Sequence, residues 1–365
     1  MTTQKILMVA GEASADRHAS HVIRALRQLM PSAEIFGMGG PEMAHAGMEC
    51  IFGMDELSVM GFTDVVPRIL QIIKVYRGIK QLMDERRPGL FIPVDLPDFN
   101  MWLARYAKAK GLSVLYYIAP QAWAWRRGRA KTLARVIDGL AVIFPFEEKF
   151  FKSYGVNTRY VGHPFVEAEA PGSSQKASWP PKRIGVMPGS RYHEIAKILP
   201  IMMDAKRIIS KKHPDITWHL PVAKGLDVNA ITGMVDKDVH LEETLPDVDL
   251  AMVKSGTSSL EMAFQGVPEV ICYRTSMVNY FLARAWVKID HIGMPNIIAG
   301  KSIVPELIQG HFTAENLVRT LCRYLDDKGL FEATGRSYHD MRQLLGDKKA
   351  SIQVANWAQE LLEAT

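Results

Sequence analysis

The sequence predicts an α/β protein made of two doubly wound, parallel-sheet domains. Strand-like and helix-like stretches alternate through the first half, break at a Pro- and Ser-rich segment, and then restart. The chain has 365 residues, long for a single core and suited to two.

The first strand, "KILMVAG", is short and apolar throughout, as a strand covered on both faces must be. "DRHASHVIRALRQLM" follows with Val22, Ile23, Leu26, Leu29 and Met30 at helical spacing. "AEIFGMGG", "GLFIPVD", "SVLYYIAP", "GLAVIFPF" and "TRYVGHP" read as further strands, and "FNMWLARYAKAKG" as a helix closing on Lys110-Gly111. Residues 1–168 form the first expected domain. Residues 169–182, "EAPGSSQKASWPPK", lack an apolar period and read as a linker. "RIGVMPGSR", "ITWHLPVA", "VHLEE", "VDLAMVKSG" and "EVICYR" supply strands for a second domain over 183–345, leaving 346–365 as a terminal helix that packs back or is exchanged in a dimer. Ligands of open α/β sheets bind outside the carboxyl ends of the strands, so two such domains are expected to share a cleft there.

Composition excludes several classes. Hydrophobic content of 48% with 23% charged residues is that of a folded globular chain, and a net charge of +5 is only mildly basic. That charge suits an anionic substrate or an acidic membrane surface and does not call for nucleic acid. Cys50, Cys272 and Cys322 form no CxxC pair and read as buried thiols of a reducing compartment. The first apolar run, Ile6 to Ala10, is too short for a signal peptide, and no segment nears the roughly 18 apolar residues of a membrane span. A cytoplasmic protein is expected, with contact to a membrane surface left open.

Chemistry-bearing residues fall where strands end. "GEASAD" follows the first strand, its small residues permitting close approach and Ser14 or Asp16 available to cap the next helix. "VDLPDFN" puts Asp95 at a strand end with no local task, which makes it the better general base, while Asp98 is placed to cap a helix from Phe99. "APQAWAWRRGRAK" interleaves tryptophans with cations. It has three readings: single-stranded nucleic acid, a Trp-packed loop, or Arg126, Arg127 and Arg129 on a substrate phosphate. In "MPGSRYHEI", Ser190 and Arg191 stand at a glycine turn opening a helix, an anion site by its free N–H groups and fixed charge. "KSGTSSLE" repeats that arrangement without the arginine, and the two together favour a diphosphate site. "VPRILQIIKVYRGIKQLM" carries more apolar residues (Ile69, Leu70, Ile72, Ile73) than one buried stripe needs, among Arg68, Lys74, Arg77 and Lys80. It reads as an interfacial amphipathic helix, against core packing as the default.

Taken in order, "GEASAD", "VMGFTDVV", "VDLPDFN", "PQAWAWR", "FPFEEKFF", "YVGHP", "PGSR", "SGTSSLE" and "MPNIIAG" run from residue 11 to residue 300. They resemble the lipid-A-disaccharide synthases, family 19 of the glycosyltransferases. Ala15 stands where the family usually has Gly, Gln121-Ala122 replaces Ser-Val, and Ser258-Ser259 departs from the usual pair. The resemblance implies a GT-B fold and an inverting transfer from UDP-2,3-diacylglucosamine to 2,3-diacylglucosamine 1-phosphate (lipid X). It implies Asp95 as base, Arg191 as diphosphate ligand, Glu261 on the ribose diol, and Ser255, Gly256, Thr257 and Ser258 around phosphate. Asn296 joins the donor site. Glu12 and Ser14 fall on the acceptor side, and Asp98, Trp125, Arg126 and Ser190 complete the substrate-binding set. No metal or organic cofactor is implied, because helix N-termini and arginine can neutralise the leaving diphosphate. A peripheral place on the inner leaflet of the cytoplasmic membrane and no nucleic-acid partner are expected, and the resemblance implies a homodimer exchanging the final helix, "ASIQVANWAQELLEA". The alternatives are a UDP-sugar 2-epimerase on the same fold and, further off, an RNA-binding module.

Overall fold

A computed structural model describes residues 4–57, 65–124, 126–168, 177–222, 226–276, 280 and 290–364, with backbone alone at 65–68 and 168. Trp125, residues 59–64 of "VMGFTDVV" and residues 169–176 of the expected linker lie outside the described residues. The chain divides into two compact units, residues 1–168 with 345–365, and residues 169–344.

The first unit runs β1 (Lys5–Val9), α1 (Ala13–Leu29), β2 (Glu34–Gly39), α2 (Pro41–His45), β3 (Glu49–Gly53), α3 (Val65–Arg86), β4 (Leu90–Pro93), α4 (Pro97–Ala109), β5 (Ser113–Tyr117), α5 (Gly128–Val136), β6 (Gly139–Val142), α6 (Pro145–Lys152), β7 (Thr158–Tyr160) and α7 (Pro164–Ala168). Its seven strands pair in parallel in the order β3-β2-β1-β4-β5-β6-β7. Leu7, Val9, Phe36, Phe91, Tyr116 and Val142 are buried together in its core. Strands covered on both faces must be apolar on both faces, which is why β1 has no polar alternation.

The second unit runs β8 (Arg183–Met187), α8 (Tyr192–Lys212), β9 (Thr217–Pro221), α9 (Val228–Thr232), β10 (Val239–Glu242), β11 (Leu250–Lys254), α10 (Thr257–Phe264), β12 (Glu269–Tyr273), α11 (Met294–Ala299), β13 (Glu306–Ile308), α12 (Ala314–Asp326) and α13 (Lys328–Leu344). Six parallel strands take the order β10-β9-β8-β11-β12-β13. Both units therefore wind outward in both directions from their first strand. In each, the connections diverge between the first and fourth strands: β1 and β4, then β8 and β11. Those are the topological switch points at which open parallel sheets take up ligands.

The last helix, α14 (Ala350–Glu363), belongs to the first unit. Trp357 is buried under the Arg159 guanidinium, which lies 4.3 Å from its ring and pairs with Glu360 at 2.7 Å. Ser351 N–H donates to Glu167 at 2.9 Å, so the join is polar as well as apolar. Exchange of this helix between copies would concern a second chain; here the helix sits on its own first unit.

Several local expectations change. Asp16 does not cap α1. Its carboxylate crosses to α2, accepting Gly40 N–H at 2.8 Å, Glu42 N–H at 3.0 Å and Met43 N–H at 3.1 Å, and so satisfies the open end of that helix. Nor does Ser14, which lies inside α1, whose N-cap is Glu12 without a side-chain bond. On α3, Ile69, Leu70 and Ile73 are exposed, but Ile72 turns inward against the core. Of the thiols, Cys272 is buried, whereas Cys50 is exposed and Cys322 half-buried. No helix among the described residues is long and apolar enough to cross a membrane.

Glu269 opens β12 inside the second unit's core, fully buried. Oε1 accepts a long bond from Tyr338 Oη at 3.5 Å, and Oε2 has no partner among the described residues. Burial pushes this carboxyl well above its usual range, only partly opposed by Tyr338. A raised folded-state pKa favours folding fully below the unfolded value of about 4.3 and loses that contribution as pH rises. Thermal unfolding followed by circular dichroism should show stability falling above that pH. Glu269→Gln should abolish this part of the fall, melting higher than the parent at alkaline pH and level with it near pH 4. Parallel pH profiles for the two proteins would contradict the assignment.

Candidate functional site

Each unit carries its own constellation at its switch point. In the first, β4 gives way to an unusual turn: Asp95 and Leu96 both have φ +50°, the left-handed region that non-glycine residues avoid. Val94 N–H bonds to Val9 O at 2.9 Å and Asp95 N–H to Tyr117 O at 3.0 Å, so the turn is anchored to the strands on both sides. The Asp95 carbonyl accepts Tyr116 Oη at 2.7 Å and Asn100 Nδ2 at 2.8 Å. Gly11 of "GEASAD" faces this turn. A Cβ there would lie 2.7 Å from Leu96 Cδ2, so glycine lets the two motifs meet.

Asp95 is half-buried. Burial, and then the neighbouring Glu12 charge, push its pKa up to about 6 against a hydrogen bond from Leu96 N–H. A carboxylate in that range can hold and release a proton near neutral pH. Asp98 takes another part. α4 begins at Pro97 with Leu96 as N-cap, so Asp98 lies in the first turn, caps nothing, and pairs instead with the largely buried Arg129. That pairing holds Arg129 against α4, while Arg126 is exposed, with φ +54°.

The second unit gathers cations. β8 ends at Met187, and Gly189, at φ +116°, turns the chain into α8, whose N-cap is the exposed Arg191. A Cβ on Gly189 would meet Glu194 Oε2 at 2.8 Å. Glu194, in the first turn of α8, lies 4.0 Å from Arg191 Nη1 and 3.0 Å from Lys254 Nζ at the end of β11. One carboxylate thus ties together the cations of two motifs 63 positions apart in the sequence. Beyond Lys254, Gly256 leads into α10 with Thr257 exposed and Ser258 and Glu261 half-buried. The N–H groups of this first turn and of α8 are of the kind that receives anions.

A family model described as lipid-A-disaccharide synthetase matches residues 6–359. A lipid-A-disaccharide synthase of Anaeromyxobacter dehalogenans is 41% identical over 97% of this chain and 96% of its own length. One from Geobacter metallireducens is 37% identical, covering 98% of this chain and 97% of the relative. The chain belongs to the lipid-A-disaccharide synthase family. Solved structures agree on the fold. The glycotransferase of kitacinnamycin superposes with TM-score 0.65 at 13% identity, over 99% of this chain and all of that one. The UDP-GlcNAc 2-epimerase from Neisseria meningitidis bound to UDP-GlcNAc gives 0.61 at 11%, over 99% of each. Both units have the Rossmann-like form of the GT-B fold, and the family makes the chain a glycosyltransferase of lipid A biosynthesis.

Three stretches of the lipid-A-disaccharide synthase resemblance converge in the first unit in a way sequence order does not announce. Trp123 Nε1 donates to the buried Glu147 of "FPFEEKFF" at 3.0 Å, and Phe144 N–H donates to the same carboxyl at 3.2 Å. Burial pushes Glu147 up to about 8 despite those bonds. His163 of "YVGHP" packs 5.2 Å from both Phe144 and Phe165, and burial lowers its pKa to about 3. Trp123 thus ties the loop before Arg126 to α6, and Phe144, at the start of α6, links that helix to His163. The sequence signal for Glu147 was only its place in a motif.

Two donor-side expectations need correction. Asn296 of "MPNIIAG" is fully buried, and its amide is saturated inside the fold. Nδ2 donates to Val304 O at 2.9 Å and Glu306 Oε1 at 2.7 Å, and Oδ1 accepts Ile303 N–H at 2.7 Å and Val304 N–H at 3.0 Å. No capacity is left for a ligand. Ser255 spends its N–H on Cys272 O at 3.1 Å and its hydroxyl on Ile292 O at 2.8 Å, which leaves the turn's anion contacts to Gly256, Thr257 and Ser258. Among the described residues no three carboxylate, imidazole or thiol groups gather as a metal site. Asn296→Ala should therefore act on the fold, stranding several buried partners at a cost of about 2–4 kcal/mol by chemical denaturation. A variant of unchanged stability that merely bound UDP more weakly would restore the ligand role.

Proposed function

We propose that the chain transfers 2,3-diacylglucosamine from its UDP ester to the 6-hydroxyl of 2,3-diacylglucosamine 1-phosphate, inverting the anomeric carbon. The products are a β-1,6-linked tetraacyl disaccharide 1-phosphate and UDP. The reading is supported by a carboxyl of raised pKa, Asp95, at the switch point of the first unit and by cationic helix-opening turns around Arg191 and Thr257 at that of the second.

Asp95 accepts the proton of the acceptor 6-hydroxyl as its oxygen attacks the donor's anomeric carbon. The bond from that carbon to the β-phosphate oxygen breaks, and UDP leaves with the electron pair. Charge developing on the diphosphate is met by N–H groups at the starts of α8 and α10 and by Arg191, with Lys254 close by. Glu261 accepts from the ribose diol. Ser14, Arg126 and Ser190 complete the substrate contacts. Glu12 keeps Asp95 basic enough to take the proton.

The direct test is incubation with UDP-2,3-diacylglucosamine and 2,3-diacylglucosamine 1-phosphate, analysed by mass spectrometry. The disaccharide phosphate and UDP are expected; an epimerised donor and no disaccharide would overturn the reading. Because Asp95 must be deprotonated to act, initial rates should rise with pH through about 6. Glu12→Gln removes a like charge and should move that limb to lower pH. A rate independent of pH across the limb would remove Asp95 from the role.

The substrates are lipids, and the proposal extends to a peripheral place on the inner leaflet of the cytoplasmic membrane. Ile69, Leu70 and Ile73 stand exposed on α3 beside Lys74 and Arg77, the mix of apolar and cationic groups that an anionic bilayer surface binds. Replacing the three apolar residues by serine should release the protein from anionic liposomes in a flotation assay, with melting temperature retained. Unchanged flotation would exclude this face.

A further inference from the structure

Asp95 lies in a backbone conformation that it does not adopt by preference. Two successive non-glycine residues at φ +50° cost roughly 1–3 kcal/mol each, and such strain persists only where the surroundings impose it. Here the restraint is concentrated on one atom. The Asp95 carbonyl oxygen accepts Tyr116 Oη from β5 and Asn100 Nδ2 from the first turns of α4, and both side chains are fully buried.

Asn100 reaches further. The same Nδ2 lies 3.2 Å from Val94 O and 3.5 Å from Val9 O, so it sits among the carbonyls at the ends of β1 and β4, across the divide between the two strands. Its Oδ1 is buried without a partner among the described residues, a deficit of about 1–3 kcal/mol. Reversing the amide would set that oxygen against three carbonyl oxygens, so the unpaired acceptor is the consequence of turning Nδ2 toward them.

We propose that Asn100 and Tyr116 are positioning residues for Asp95. Together they hold the left-handed turn that sets the direction in which the carboxylate leaves the strand. The proposal rests on the reading of Asp95 as the base. A misplacement of about 1 Å at a reacting group can cost roughly a hundredfold in rate, so a turn fixed by two buried donors has a kinetic consequence larger than its share of stability. The charged and titratable groups around the turn are Glu12 at the N-cap of α1, Asp98 from α4, Arg129 from α5 and Tyr116 itself. Burial and the Asp95 charge hold the Tyr116 hydroxyl protonated, so it donates throughout the working range.

Tyr116→Phe removes one hydroxyl and leaves Asn100 on the carbonyl. Steady-state rates with both lipid substrates should show kcat down about tenfold or more, with each KM within about twofold. The acid limb of the pH profile should move toward the ordinary carboxylate range as Asp95 relaxes into solvent. Tyr116→Phe/Asn100→Leu should fall further, approaching Asp95→Asn. Normal kcat and an unmoved limb in Tyr116→Phe, with Asp95→Asn inactive, would overturn the positioning role and leave the base in place. Turnover retained by Asp95→Asn would overturn both. Joint loss of kcat, KM and melting temperature would assign the two residues to the fold alone. If Tyr116→Phe does not fold, Asn100→Ser, whose hydroxyl is too short to reach the carbonyl, gives the same division. Loss of kcat at constant KM is expected there, and unchanged kcat would overturn the proposal.

Discussion

Parallel pairing of β1 with β2 on one side and β4 on the other is the constraint from which the first unit's chemistry follows. Because the connections leave β1 and β4 in opposite directions, the ends of those two strands are left uncovered by either. Glu12 and Asp95 occupy those ends. Their proximity, with burial, raises the Asp95 pKa. The second unit repeats the pairing with β8 between β9 and β11, and there the same uncovered ends carry Arg191 and Lys254. One topology, used twice, yields an acidic site and a cationic one.

The two sites manage buried polarity differently. In the second unit, carboxylates are the organisers. Glu194 spans Arg191 and Lys254, and Glu306 takes N–H bonds from Ile292 and Gly293 at 3.0 Å each as well as the Asn296 amide. At the Asp95 turn of the first, two neutral donors, Tyr116 and Asn100, do this work on a backbone carbonyl.

The strands at the sheet centres were legible because burial on both faces leaves a continuous apolar run, as at Ile6–Val9 and Leu250–Val253. α3, read from Val66 to Met83, extends from Val65 to Arg86. β3 and β13 were not legible. β3 is an edge strand without a fully buried residue, and β13 has three residues, all half-buried. Among the proposed site residues, Asp95, Arg191 and Glu261 follow from strand ends and turns, which local order reveals. What local order cannot reveal is the tertiary partner of a polar side chain. Asp16 and Asp98 stand where neighbouring helices could use them, yet they serve α2 and Arg129. Asn296 has a ligand's polarity and a core residue's surroundings. Asn100 and Tyr116 look like ordinary helix and strand residues until their bonds to one carbonyl are seen.

The proposed mechanism divides the labour: proton removal at Asp95, nucleotide binding at the turns of the second unit. Calorimetric titration of UDP into Asp95→Asn and Glu261→Gln, each checked for turnover, tests it most directly. Parental UDP affinity and no turnover are expected for Asp95→Asn, and at least tenfold weaker UDP binding, about 1.4 kcal/mol, for a folded Glu261→Gln. Weakened UDP binding in Asp95→Asn, with parental affinity in Glu261→Gln, would contradict it.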